Sequence, residues 1–152
     1  VRNYWKRDSI SKRSGENVYY LSSDRKSITT VAANFEQPNG IVGTPDGKKL
    51  YVADIGADKT YEFAIQKDGT LTNKKIFCNM GSDGMTVDNQ GNVYLTGDGV
   101  HVFDKNGKKI AHIPVPESWT ANVCFGGKDF NILFITAMDS VYGLQMNVKG
   151  VR

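Results

Sequence analysis

No stretch of this 152-residue chain approaches the roughly 18 consecutive apolar residues that a membrane-crossing helix needs, so a membrane span is not expected. Cysteine is scarce. Cys78 and Cys124 form no CxxC pair and are too few for a disulfide framework. Both lie in apolar, strand-like segments, so buried free thiols are the expectation, with a single bridge as the alternative. There is no GxSxG, no HExxH and no Cys/His cluster, which argues against a serine hydrolase and against a zinc site. Excess charge is also missing: the net charge is +3, and the lysines come as pairs in turns rather than as a stripe. No nucleic-acid partner is expected on that pattern. Sustained 3.6-residue apolar periodicity is absent, so little helix should form.

Glycine, by contrast, is plentiful. Sixteen glycines, several in Asp-Gly, Asn-Gly and Gly-Gly pairs, imply many tight turns and therefore many short strands. With 39% apolar and 23% charged residues, the composition suits one soluble, all-β domain with a real core.

A repeat organises those strands. Pro38-Asn39-Gly40-Ile41 and Ser82-Asp83-Gly84-Met85 each put a polar oxygen carrier and a glycine ahead of a short apolar strand. A second strand follows, Leu50-Tyr51-Val52-Ala53 in one case and Val93-Tyr94-Leu95-Thr96 in the other. A looser third copy runs from Asn122 to Leu133-Phe134-Ile135-Thr136. Asn39 to Leu50 is 11 residues, Asp83 to Val93 is 10 and Asn122 to Leu133 is 11. The copies start 44 and 39 residues apart, a period typical of four-stranded propeller blades. Blades are radial, so equivalent positions in each point at one central place, and here they hold Asn39, Asp83 and Asn122.

The fold class expected is therefore all-β, with propeller blades of four antiparallel strands. Residues 1–15 read as a polar, basic loop, 16–37 as the end of one blade, 38–81 and 82–120 as full blades, and 121–152 as an incomplete last blade. Strands are predicted at 17–22, 27–32, 39–44, 48–54, 59–65, 74–79, 84–88, 92–96, 99–104, 108–113, 122–126, 131–136 and 140–148. That makes about three to three and a half blades, too few to close a ring without exposing edges. The missing strands are expected from another chain or from further sequence, and the opening Val1, rather than Met, agrees with a trimmed or partial chain. Two copies would supply two strands more than six blades need. The compartment stays open, cytoplasmic or periplasmic and secreted alike.

Loop charges separate by face. Turns on one side carry Lys48, Lys49, Lys67, Lys105, Lys108, Lys109 and Lys128. The side with the Asn/Asp/Asn positions carries Asp54, Asp58, Asp98, Asp139, Glu36 and Glu117, a field that favours a cation near the axis. His101 and His112 fall in outer strands, away from any axis, and read as packed or surface residues.

In these motifs, and in Pro45-Asp46-Gly47-Lys48-Lys49-Leu50-Tyr51-Val52-Ala53-Asp54 and Asn122-Val123-Cys124-Phe125-Gly126-Gly127, the sequence resembles the senescence marker protein/gluconolactonase family of six-bladed propellers. The likeness runs over about residues 17–150 and marks the C-terminal half of such a propeller. It implies a divalent metal at the axis, usually calcium, held by Asn39 and Asp83, with Zn2+, Mg2+ or Mn2+ as other candidates. The family's glutamate ligand, which precedes the first motif, has no counterpart here. The resemblance further implies lactone hydrolysis, with Asp83 helping to activate water. Asn122 is a candidate supporting group, and Tyr4 and Trp5 are candidates for a substrate rim.

Physical chemistry agrees with the metal reading, since hard dications take amide and carboxylate oxygens together. Two other classes stay open. In one, Asn39 and Asp83 are only turn formers, as Asn-Gly and Asp-Gly pairs often are, and the chain is a non-catalytic binding module. In the other, it is an arylesterase or organophosphate-cleaving relative.

Overall fold

A computed structural model describes residues 15–151. Among the described residues the strands are β1 (Val18–Leu21), β2 (Ile28–Ala32), β3 (Pro38–Gly43), β4 (Lys49–Asp54), β5 (Lys59–Ile65) and β6 (Leu71–Cys78). They continue as β7 (Met85–Val87), β8 (Val93–Gly97), β9 (Gly99–Phe103), β10 (Lys109–Ile113), β11 (Thr120–Gly126), β12 (Ile132–Ala137) and β13 (Ser140–Gln145). Each strand pairs antiparallel with its sequence neighbour, giving four separate sheets ordered β1-β2, β3-β4-β5-β6, β7-β8-β9-β10 and β11-β12-β13. These are propeller blades.

Burial shows how the blades stack. A strand with one wet face alternates buried and exposed, but Tyr51, Val52, Ala53 and Asp54 of β4 are all buried. Both faces of that sheet are covered. Tyr51 and Ala53 point toward Val93 and Leu95 of β8 in one apolar cluster. Val52 points the other way, into a cluster with Val18 and Phe35. The third interface joins Tyr94, Val100 and Val102 to Val123, Phe125, Leu133 and Ile135. Each fully covered side chain, such as Leu133 at 0% exposure, stabilises its interface by about 1.5–3 kcal/mol.

Differences from the sequence reading are local. Strand β6 starts at Leu71, three residues before the expected 74, and β11 starts at Thr120 rather than 122. The thiols also divide. Cys78 is buried as expected, but Cys124 is exposed, and both are free. Apolar neighbours misled the reading of Cys124, because Val123 and Phe125 point into the core while Cys124, between them, projects from the opposite face of β11.

Candidate functional site

Of the innermost strands, β7 touches both β3 and β11. Glycine makes that possible. A Cβ on Gly40 would lie 3.1 Å from the carbonyl oxygens of both Ser82 and Asp83, and the Gly40 N–H donates to the Ser82 carbonyl at 3.1 Å. On Gly84, a Cβ would lie 2.6 Å from the Cα of Asn122 and 2.3 Å from its Oδ1. Neither glycine has a positive φ. Their role is close backbone approach, not the left-handed turn geometry of an Asn-Gly or Asp-Gly hairpin.

The segment carrying Asp83 therefore runs between those carrying Asn39 and Asn122. Asn39 is exposed within β3, Asp83 is half-buried just before β7, and Asn122 is exposed within β11. Asn122 Oδ1 accepts a hydrogen bond from the Val123 N–H at 2.8 Å. Tyr4 and Trp5, the candidates for a substrate rim, lie outside the described residues.

A buried hydroxyl pair fixes the segment that carries Asp83. Ser82 Oγ donates to the Gly84 carbonyl at 2.7 Å and accepts from the Thr96 N–H at 2.8 Å. Thr96 Oγ1 accepts from the Gly84 N–H at 2.9 Å. Both residues are almost wholly buried, at 2% and 1% exposure, so every partner lost would leave a polar group stranded. Ser82 and Thr96 both stand in the second copy of the repeat, but the first copy has Pro38 and Ala53 there, so the repeat itself gives no signal of this clamp.

Beside the clamp, Asp83 lines an open groove of about 810 Å³ with Glu117, Ser118, Trp119, Ala121, Met138 and Asp139. Glu117 Oε1 accepts from Tyr142 Oη at 2.9 Å and from Ser140 Oγ at 3.1 Å, so its carboxylate is held in place. Trp119 is 43% exposed and Met138 64% exposed, giving the acidic groove an apolar wall. Two aspartates counted toward the acidic face serve the backbone instead. Asp54 is buried and accepts from the N–H groups of Glu36 and Gln37 at 2.9 and 2.7 Å. Asp58 Oδ1 accepts from the Gly81 N–H at 3.0 Å.

The donors at the hub suit a hard dication. Asn39 offers an amide oxygen and Asp83 a carboxylate, with no soft ligand in the set, and the surrounding groove is acidic. His101 and His112 lie two and three strands outward from β7 and take no part in it.

Residues 5–139 match the family described as SMP-30/Gluconolactonase/LRE-like region. The chain is similar to a pentonolactonase from Haloferax volcanii, 28% identical over 135 residues, covering 83% of this chain and 46% of that protein. It is similar to a gluconolactonase from Zymomonas mobilis, 27% identical over 156 residues, covering 93% of this chain and 43% of that protein. Among solved structures, a gluconolactonase from Xanthomonas campestris superimposes with a TM-score of 0.81 at 30% identity, covering 90% of this chain and 46% of that one. The chain thus spans somewhat under half the length of these relatives.

Proposed function

This chain belongs to the SMP-30/gluconolactonase/LRE-like family, and from that premise we propose that its hub is part of the catalytic centre of a lactone hydrolase. The observation that carries this reading is the meeting of the Asn39 and Asp83 segments beside an acidic groove walled by Trp119 and Met138. The relatives, a pentonolactonase and a gluconolactonase, point to a sugar-derived or similar lactone as substrate.

Asn39 and Asp83 would hold a divalent cation through their oxygens, calcium first among the candidates. When bound, the cation polarises the lactone carbonyl. The protein's own contribution is positioning and proton transfer. Asp83 accepts a proton as water adds to the carbonyl carbon, and the ring C–O bond then breaks. The ring oxygen leaves as an alcohol on taking up a proton, giving an open hydroxy acid. The Trp119 side chain offers a flat apolar surface to the C–H face of a sugar-like ring, while Glu117 presents its carboxylate to hydroxyls. The Ser82–Thr96 clamp keeps Asp83 at fixed depth in the groove.

Completion of the ring, by further strands of the same polypeptide or of another chain, is part of the same proposal. It would supply the ligand for which this sequence has no counterpart and would close the groove.

The test is acid release from gluconolactone by the intact protein, followed by titration with and without added calcium. Asp83→Ala is expected to lower turnover by about 10²–10⁴-fold, and Asn39→Ala to raise the calcium concentration required. Turnover and metal affinity untouched by both substitutions would overturn the assignment. Calcium binding without cleavage of lactones, but with cleavage of a phosphotriester, would redirect it to the organophosphate-cleaving class. Binding with neither activity would leave a non-catalytic module.

A further inference from the structure

A second cluster of chemically capable side chains lies on the outer half of the β7–β10 blade. Asp98 is the one residue between β8 and β9, and His101 faces His112 directly across the β9–β10 pair. The two imidazoles stack, centroids 4.5 Å apart and planes inclined by 23°. His101 Nε2 lies 2.5 Å from Asp98 Oδ1, and His112 Nε2 lies 2.7 Å from the Asp98 carbonyl oxygen. One ring nitrogen of each histidine and a carboxylate oxygen of Asp98 fall within 4.8 Å of one another.

We propose that Asp98, His101 and His112 form a second cation site, selective for a first-row transition dication such as Zn2+ rather than for calcium. Two imidazole nitrogens and one carboxylate oxygen are a borderline donor set, which zinc accepts and calcium does not. Bonds of 2.0–2.2 Å in a tetrahedron put neighbouring donors about 3.3–3.6 Å apart, so on binding the stacked rings tilt toward one another and Asp98 draws back from His101. His101 is the enclosed member, its side chain only 9% exposed, while the Asp98 side chain that it holds is 82% exposed. Water can complete the coordination from the open side of Asp98 and His112.

The site is separate from the hub. His101 and His112 stand two and three strands away from β7, about 10–14 Å at the usual strand spacing. Its donors contain nitrogen, whereas those of the hub are all oxygen. The inference therefore does not rest on the lactonase reading.

Coordination carries a proton requirement. A carbonyl oxygen only accepts, so His112 Nε2 carries a hydrogen as it faces Asp98. For Nε2 to bind a cation, that hydrogen must move to Nδ1, or leave to solvent from a protonated ring. The same shift at His101 puts a hydrogen on Nδ1, which is buried and has no partner among the described residues. That unpaired N–H makes the site weaker than a closed structural zinc site, whose histidines donate from their second nitrogen.

The experiment is titration calorimetry of the intact protein with Zn2+ alone and with Ca2+ alone, backed by the visible absorption of bound Co2+. Zn2+ affinity is expected to fall at least about tenfold in His112→Ala and in Asp98→Asn, and to stay unchanged in Asp83→Ala. Ca2+ binding should show the reverse pattern. His112 is exposed, so its substitution leaves the core intact, and His112→Gln serves as a second variant that preserves side-chain bulk. Zn2+ binding indifferent to His112→Ala, His112→Gln and Asp98→Asn, or abolished by Asp83→Ala, would overturn the proposal. So would a Co2+ spectrum that does not change when His112 is replaced.

Discussion

At the scale of single residues, chemistry follows which face of a strand a side chain occupies. Cys78 and Cys124 both sit in apolar runs, but only Cys78 is enclosed, and burial pushes its thiol up to about 11. Reaction with a disulfide reagent at neutral pH should therefore show one fast thiol, lost in Cys124→Ser, and a second that reacts only after denaturation. Two fast thiols in the folded protein would contradict the burial of Cys78. The histidines teach the same lesson. Ten residues separate His101 from His112, and nothing in that spacing shows that the hairpin register sets them side by side over Asp98. A repeat singles out Asn39 and Asp83 in the sequence, and the glycine after each serves close packing of neighbouring backbones rather than a turn.

At the scale of elements, four hairpins close in the same way. Thr44, Gln66, Asp88 and Asp104 each accept, through the main-chain carbonyl, from the N–H of a glycine three residues on, at 2.9–3.0 Å. Those glycines, at 47, 69, 91 and 107, all have φ between 66° and 84°, where a side chain is disfavoured. The surroundings differ, which yields a graded prediction. A Cβ on Gly47 meets nothing within 4 Å, so Gly47→Ala should cost only the left-handed backbone penalty of about 1–2 kcal/mol. On Gly107 a Cβ would fall 1.9 Å from the Phe77 carbonyl oxygen, so Gly107→Ala must also displace β6. Thermal denaturation should show a loss at Gly107 at least twice that at Gly47. Equal losses would mean that the contact between β6 and the β9–β10 turn is not rigid.

At the scale of the whole molecule, stability is divided among three apolar interfaces, one between each pair of adjacent sheets. Among the described residues the flanking sheets have no such partner on their outer faces. On β11–β13, the row Asn122, Thr136 and Val141 and the row Cys124, Phe134 and Gly143 share one exposed face. On β1–β2, Tyr19, Tyr20, Leu21 and Ile28 are 40–70% exposed. Aromatic and aliphatic surface of this kind marks a site of association. The 152-residue polypeptide by itself should run above its 16.8 kDa mass in native mass measurement, or bind a hydrophobic dye strongly. A dye-silent monomer of 16.8 kDa would show that these faces need no cover.

The all-β architecture and the order of the strands were available from the sequence itself, as was the repeat that sets Asn39 and Asp83 at equivalent positions. Strand alternation, turn glycines and a forty-residue repeat are local signals that survive without coordinates. The Ser82–Thr96 clamp, the exposure of Cys124, the structural use of Asp54 and the Asp98–His101–His112 cluster were settled only in three dimensions. Each depends on register and on which neighbour covers a given face. Register changes those outcomes with a shift of one residue while leaving composition and periodicity the same.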